Sequence, residues 1–181
     1  MTRFYTILYG CIFACIIVTS NYAVQFNIGS SYLTYGALTY PFSFLFLDIL
    51  SEKNDKKDVL KALRYGILFA FIPSLLISEP LIAIASISAF LVSQPLDVII
   101  FYFFKKVLPK LWWLRNNIST IIAQFFDTMI FFHIAFLAEK GSETVFMMAL
   151  FDFCIKIILS LIDTPFFYIF AIALKAKFNN K

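Results

Sequence analysis

Six long apolar runs constrain the fold of this chain more than any other feature. They lie at about 4–24, 32–51, 63–78, 80–104, 117–138 and 144–174. A helix needs roughly 20 mainly apolar residues to cross the hydrocarbon core of a bilayer. The 61% hydrophobic content of the 181 residues is also more than one small soluble core can hide. The sequence therefore predicts an all-α, polytopic membrane protein: a bundle of about six transmembrane helices in a single domain over 1–181.

Three of the runs carry further local signals. The first has no small-residue cleavage site, so it is expected to remain as a membrane span rather than act as a signal peptide. Pro80 separates the short third run from the fourth, which predicts a tight helical hairpin with Ser78 and Glu79 at its tip. The long sixth run is expected to be tilted, or kinked at Pro165, because proline removes a helical hydrogen bond.

Basic residues occupy alternate connections between the runs. These are Lys53, Lys56, Lys57, Lys61 and Arg64, then Lys105, Lys106, Lys110 and Arg115, and finally Lys175, Lys177 and Lys181. The other connections are poor in basic residues, as the positive-inside rule requires of six spans. Both termini are therefore expected on the cytoplasmic side of a bacterial inner (plasma) membrane. The net charge of +4 comes from these topological tracts, so no nucleic-acid partner is expected.

Polar side chains recur at membrane depth, where a charge costs at least about 2.5–3.5 kcal/mol. The fourth and fifth spans share the pattern Q-x-x-D-x-x-I-F, which puts an amide and a carboxylate on one helical face. Since these spans run antiparallel, Asp97 is expected at the same membrane depth as Gln124, and Gln94 at the same depth as Asp127. Counted from the cytoplasmic ends of the two spans, both pairs would lie roughly 10–15 Å deep at about 1.5 Å per residue. With Asp48 and Glu52 in the second span, these residues predict a polar layer in the inner half of the bundle.

The sixth span carries a polar stripe. Its members are Asp152, Lys156, Ser160 and Asp163, at helical spacings of four, four and three residues. Asp152 and Lys156 are expected to pair at i, i+4. The stripe is open to two interpretations, because such a pair either belongs to a functional site or simply neutralises itself.

The residue types suggest a kind of ligand. Carboxylates accept hydrogen bonds, amides donate and accept them, and aromatic rings stack. With 24 Phe, 9 Tyr and 2 Trp, the chain suits a planar heterocycle with N–H donors, such as a guanine-like base. Aromatic residues also serve helix packing and interfacial belts, which is the competing interpretation. No phosphate-binding loop, catalytic triad or metal-ligand spacing is present in the sequence, so no enzyme, cofactor or metal is expected.

Several segments carry a family resemblance. They are P-F-S-F-L-F-L-D-I-L-S-E at 41–52, S-Q-P-L-D at 93–97, W-L-R-N-N-I-S-T at 113–120, Q-F-F-D-T at 124–128, and Lys156 with Asp163-Thr164-Pro165 and Tyr168. Together they resemble the queuosine precursor transporter family, formerly described as vitamin uptake transporters, over about residues 40–170. The chain departs from that pattern after Glu52, where Lys53-Asn54-Asp55-Lys56 replaces an aromatic-Gly-basic turn. Asn-Asp is still good turn chemistry.

The resemblance implies import of deazaguanine-type bases, namely cyano and aminomethyl queuosine precursors or queuine, for tRNA-modification salvage. The expected substrate-binding residues are Asp48, Glu52, Gln94, Asp97, Arg115, Asn116, Asn117, Gln124, Asp127, Lys156 and Asp163. Arg115 and the two asparagines are expected at the cytoplasmic entrance to the fifth span, where they would cap the helix, gate the site, or pair with Asp48 or Glu52.

Two rival functions stay open at this point. The chain could be the substrate-binding subunit of a larger energised vitamin transporter, or a membrane scaffold or assembly protein without a ligand. As a secondary transporter it could also couple uptake to protons, because burial favours the protonated form of a carboxyl group. The sequence leaves the precursor, the coupling ion and the oligomeric state open, a homo-oligomer included.

Overall fold

The chain is a bundle of α-helices. The computed structural model describes residues 1–29 and 34–173. The helices are α1 (Arg3–Ala23), α2 (Tyr35–Thr39), α3 (Pro41–Lys53), α4 (Lys56–Ile77), α5 (Pro80–Val107), α6 (Trp112–Lys140) and α7 (Ser142–Phe167), and a π-helical segment, Tyr168–Ala173, continues α7. No β-strand occurs in these two ranges. The predicted all-α class is confirmed.

Five of the helices are long and apolar enough to cross a membrane. They are α1, α4, α5, α6 and α7 with its π-helical continuation. The segment expected as the second span is instead divided into α2 and α3 at Tyr40, although the Tyr40 backbone itself is helical. Pro41 explains the division, because it has no N–H to continue the helical hydrogen-bond ladder. The start expected at residue 32, the end expected at residue 174 and the lysines of the tail lie outside the described residues.

Helices α4 and α6 begin earlier than the sequence predicts, at ends that carry basic residues. Helix α4 begins at Lys56 rather than near 63, so the third span is not short. Its first turns are basic, and long basic side chains can extend from a helix end toward the interface while their stems stay in apolar surroundings. Helix α6 likewise begins at Trp112, so Arg115 and its neighbours lie within the first turns of α6 rather than before it. Ser78 and Glu79 connect α4 to α5.

The helices pack around buried apolar clusters and buried polar groups, while many large apolar side chains remain exposed on the outside of the bundle. Helix α1 packs mainly against α4, and α5 packs mainly against α6, which also contacts α7. Helix α3 lies against both α5 and α7. Large apolar residues such as Leu76 and Phe4 are 79% and 70% exposed, whereas Asp48 and Asp97 are fully buried. This distribution suits a bundle surrounded by lipid, and it gathers the polar groups between α3, α5, α6 and α7.

Helices α1 and α4 meet closely at two glycines. A Cβ on Gly66 would lie 2.5 Å from the Phe13 ring and 3.1 Å from the Gly10 carbonyl oxygen. We expect Gly66→Ala to destabilise the protein by about 1–3 kcal/mol, because overpacking forces side chains or backbones to shift. Unfolding of the detergent-purified protein would measure this cost.

A matched control for Gly66→Ala is available on the same helix. Ile72 is 65% exposed on α4, so Ile72→Ala removes apolar surface without touching the helix contact. Equal stability of Gly66→Ala and the parent chain would contradict a tight α1–α4 contact.

Candidate functional site

A buried lysine on α7 lies at the centre of a charged cluster. The Lys156 ammonium group is 2.9 Å from Asp152 of its own helix and 3.5 Å from Asp127 of α6. It also donates a hydrogen bond to the Thr128 hydroxyl at 3.1 Å. Asp127 in turn accepts a hydrogen bond from Ser93 of α5 at 2.9 Å. This charge cluster, Asp127–Asp152–Lys156, joins α6 to α7, is linked to α5 through Ser93, and has two acidic side chains for one basic side chain.

The side chain of Tyr40 covers the charge cluster from the helix break. Its ring centroid is 5.2 Å from the Lys156 ammonium group, within cation–π range. The Tyr40 hydroxyl donates to Asn21 of α1 at 2.6 Å, and the Asn21 amide donates to Ser74 of α4 at 2.9 Å. The tyrosine between α2 and α3 therefore connects the charge cluster to the α1–α4 pair.

A cavity of about 700 Å³ lies on the charge cluster. Lys156 and Asp152 form part of its wall together with Tyr40. Its other large lining side chains are Phe131, Phe132, Phe136 and Met148. Glu79, at the α4–α5 connection, and Lys140, at the end of α6, also line it. The cavity therefore extends toward that end of the bundle, and it combines flat aromatic surface with both signs of charge.

A polar core lies beside the charge cluster, between α3, α5 and α6. The Thr120 hydroxyl donates to Asp48 at 3.0 Å, and the Gln94 amide donates to Ser43 at 3.0 Å. Asp97 and Gln124 are fully buried, and neither makes a side-chain hydrogen bond to another described residue. The expected carboxylates and amides thus lie together in a buried polar core, and none of these four predicted residues (Asp48, Gln94, Asp97 and Gln124) lines the large cavity.

An ion-pair cluster lies at the opposite end of the bundle from Glu79 and Lys140. Arg115 of α6 contacts the Glu52 carboxylate of α3 at 2.8 Å and donates to the Pro109 carbonyl oxygen at 2.8 Å. Lys105 of α5 approaches the same carboxylate at 3.8 Å and donates to the carbonyl oxygens of Ser51 and Glu52. Of the two partners considered for Arg115, the structure shows Glu52.

The remaining predicted residues flank this end. The Asn117 amide donates to the Trp113 carbonyl oxygen at 2.8 Å, and its oxygen accepts from Thr164 of α7 at 3.1 Å. Asn116 and Asp163 border a small crevice together with Thr120. All eleven predicted residues are buried. Eight of them divide among the charge cluster, the polar core and the ion-pair cluster, and Asn116, Asn117 and Asp163 flank the ion-pair cluster.

Sequence reasoning missed Tyr40 and the phenylalanines of the cavity wall. Nothing in the apolar pattern distinguishes Phe131 and Phe132 from lipid-facing rings such as Phe126. Tyr40 did carry a signal, because a residue before proline inside an apolar run marks a disturbed helix. Asp152 was recognised as the i, i+4 partner of Lys156, and the structure shows that pair.

The fold and site define a class of protein: a multi-pass membrane bundle with a charged, aromatic-walled cavity. The chain belongs to the family described as "Putative vitamin uptake transporter", which it matches over residues 34–170. It is similar to a "Probable queuosine precursor transporter" of Bacillus subtilis, 30% identical over 75% of this chain and 70% of the relative. A protein of the same description from Haemophilus influenzae is 31% identical over 80% of this chain and 78% of its own length.

A third relative is also a transporter by its description. The "Queuosine precursor transporter" of Escherichia coli is 29% identical over 81% of this chain and 77% of its own length. No solved structure matches the chain significantly. Family membership thus identifies a membrane transporter.

Proposed function

We propose that this chain imports queuosine precursors, meaning deazaguanine-type bases or queuine, for tRNA-modification salvage. The observation that carries the proposal is the aromatic cavity on the charge cluster, in a chain of this family. Three relatives described as transporters or probable transporters of queuosine precursors, each matched over at least 70% of its length, support the choice of cargo.

The cavity chemistry suits a planar base. Phe131, Phe132 and Tyr40 offer faces or edges for a heterocycle, and aromatic contacts favour offset or edge-to-face geometry. Asp152 can accept hydrogen bonds from ring N–H or amino groups, and Lys156 can donate to a ring carbonyl oxygen. A volume of about 700 Å³ falls within the usual range for small-molecule pockets. We assign substrate contact to Lys156 and Asp152. The polar core and the ion-pair cluster would line the path of the substrate through the bundle.

We further propose a single transmembrane domain over 1–181 that works as a secondary transporter, with both termini in the cytoplasm. The basic tracts near Lys56 and Lys105 lie at the end of the bundle that would then face inward. The part of the cavity near Glu79 would then face outward. In that orientation the described conformation would be open to the outside, and the Arg115–Glu52 ion pair would close the inner end. A proton carried by a buried carboxyl group would drive import.

Binding and transport by the purified chain test this proposal. We expect a cyano or aminomethyl deazaguanine to raise the unfolding temperature, because a ligand at 100 times its Kd stabilises the folded state by about 2.7 kcal/mol. Adenine, biotin and riboflavin serve as comparison ligands.

Uptake into proteoliposomes then separates the rival functions. Precursor uptake by the chain alone, driven by an inward proton gradient, is the expected result. Binding without uptake would indicate a subunit of a larger transporter. No binding of any deazapurine would contradict the proposal and favour a scaffold.

A further inference from the structure

Two buried carboxyl groups in the polar core face each other. Asp48 of α3 and Asp97 of α5 are both fully buried. They lie within range of a side-chain hydrogen bond between the two carboxyl groups. Two ionised carboxylates only repel, because neither has a proton to donate. Such a contact becomes a hydrogen bond when one of the two groups holds a proton.

Few neighbouring groups donate hydrogen bonds to this pair of carboxyl groups. Among the described residues, Asp48 Oδ1 and both carboxylate oxygens of Asp97 have no hydrogen-bond partner. Thr120 donates to the second oxygen of Asp48. The Ser119 hydroxyl lies beside Asp97 but donates to the Asn116 carbonyl oxygen at 3.2 Å. A fully ionised pair would therefore be poorly stabilised in this environment.

The nearby cations are engaged elsewhere. Lys156 contacts Asp127 and Asp152, and Arg115 contacts Glu52, which Lys105 also approaches. Arg115 acts on Asp48 only as a more distant charge. Asp163 of α7 is also buried and has no ion pair among the described residues, and it lies at the small crevice beside Thr120. Of these three carboxyl groups, Asp48 and Asp97 are the two with no exposed surface, whereas Asp163 is 9% exposed.

An unpartnered amide lies on the helical face that carries Thr120. Gln124 is fully buried, and both of its polar side-chain atoms lack a partner among the described residues. It lies one turn after Thr120 on α6, so the two side chains share a helical face. The polar core therefore holds a further group able to donate to a carboxylate or accept from a carboxyl group.

We propose that Asp48 and Asp97 bind one shared proton, and that this pair is the carrier of the proton that accompanies the substrate. The second half of this proposal rests on the proposed function. When the pair takes up a proton, the proton bonds to one carboxylate oxygen and forms a hydrogen bond to the other carboxylate. The net charge of the pair changes from −2 to −1. On release toward the inner end, the pair regains both charges. Asp127 and Asp152 differ from this pair, because both lie against the Lys156 ammonium group.

Infrared difference spectroscopy tests the shared proton without any transport assay. The wild-type protein should show the carbonyl stretch of a protonated carboxyl group near neutral pH, and Asp48→Asn/Asp97→Asn should lose it. If the double variant does not fold, Asp97→Asn alone is compared, and the band should then shift because the carboxyl group of Asp48 has lost its carboxylate partner. Absence of the band in the wild type, or an unchanged band in the variant, would overturn the proposal.

Proteoliposome uptake tests the role in coupling. In either single Asn variant we expect complete loss of stimulation by a proton gradient, while thermal-shift binding of the precursor is retained, because neither Asp48 nor Asp97 lines the large cavity. Glu143→Gln, an exposed carboxyl group at the start of α7, is the matched control. Gradient-driven uptake that is unchanged in Asp48→Asn and Asp97→Asn, or wild-type uptake that ignores the gradient, would overturn the coupling role. Failure of the wild type to take up any precursor would instead count against the proposed function and leave the infrared test standing.

Discussion

Replacing Lys156 with methionine is expected to destabilise the bundle by about 3–5 kcal/mol, because removal of one partner leaves uncompensated buried charge. Within residues 1–29 and 34–173, Lys156 is the one basic side chain in direct contact with Asp127 and Asp152, at 3.5 and 2.9 Å. The substitution also removes the ammonium group next to the Tyr40 ring. Unfolding of the detergent-purified protein measures the loss, and binding of a deazaguanine should be abolished with it.

A triple variant separates stability from binding in the charge cluster. Lys156→Met combined with Asp127→Asn and Asp152→Asn removes all three charges, so most of the lost stability should return. Binding of the base should not return, because the charged hydrogen-bonding groups of the cavity are gone. Lys57→Met, at an exposed lysine of α4, controls for loss of a positive charge. Normal stability of Lys156→Met would show that the two carboxylates do not depend on this lysine.

Replacing Arg115 with glutamine is expected to have the second-largest effect, at the opposite end of the bundle. It leaves Glu52 with only the longer contact to Lys105, at 3.8 Å. A double-mutant cycle with Glu52→Gln should give a coupling energy within the roughly 0.5–3 kcal/mol seen for residues in contact. Additive effects of the two substitutions would rule out a direct energetic link between these residues.

The same Arg115 variant carries a functional expectation. If the ion-pair cluster keeps the inner end closed, Arg115→Gln shifts the protein toward states open at that end. A ligand that binds the outward-open cavity should then bind more weakly, because a smaller fraction of the protein is competent to bind it. Titration of the purified variant with a deazaguanine checks this. Affinity equal to that of the wild type would assign the cluster to stability alone.

The helices could be predicted from the sequence because lipid imposes a simple rule on them. A run such as 80–104 has few ways to satisfy its backbone in hydrocarbon other than an α-helix. The i, i+4 pair of Asp152 and Lys156 was also predictable, because it depends only on helical geometry. Burial of Asp97 and Gln124 followed from the cost of leaving them in lipid.

The position of the cavity could not be predicted in the same way. The shared Q-x-x-D pattern predicted a site around Asp97 and Gln124, yet both residues lie in the buried polar core and neither lines the large cavity. The large cavity instead lies where Phe131, Phe132 and Tyr40 fail to fill the space beside Lys156. Which aromatic rings face each other depends on helix rotation and on the division at Tyr40, and periodicity alone determines neither.

The division between α2 and α3 affects which contacts to a bound base mutagenesis could detect. In a continuous helix the N–H of residue 41 would donate to the carbonyl oxygen of Ala37, and Pro41 has no N–H to give. Ala37 lines the large cavity. A main-chain oxygen released in this way can accept a hydrogen bond from a base whatever side chain residue 37 carries. Alanine scanning would be blind to such a contact, and relatives with different cavity walls could all retain it.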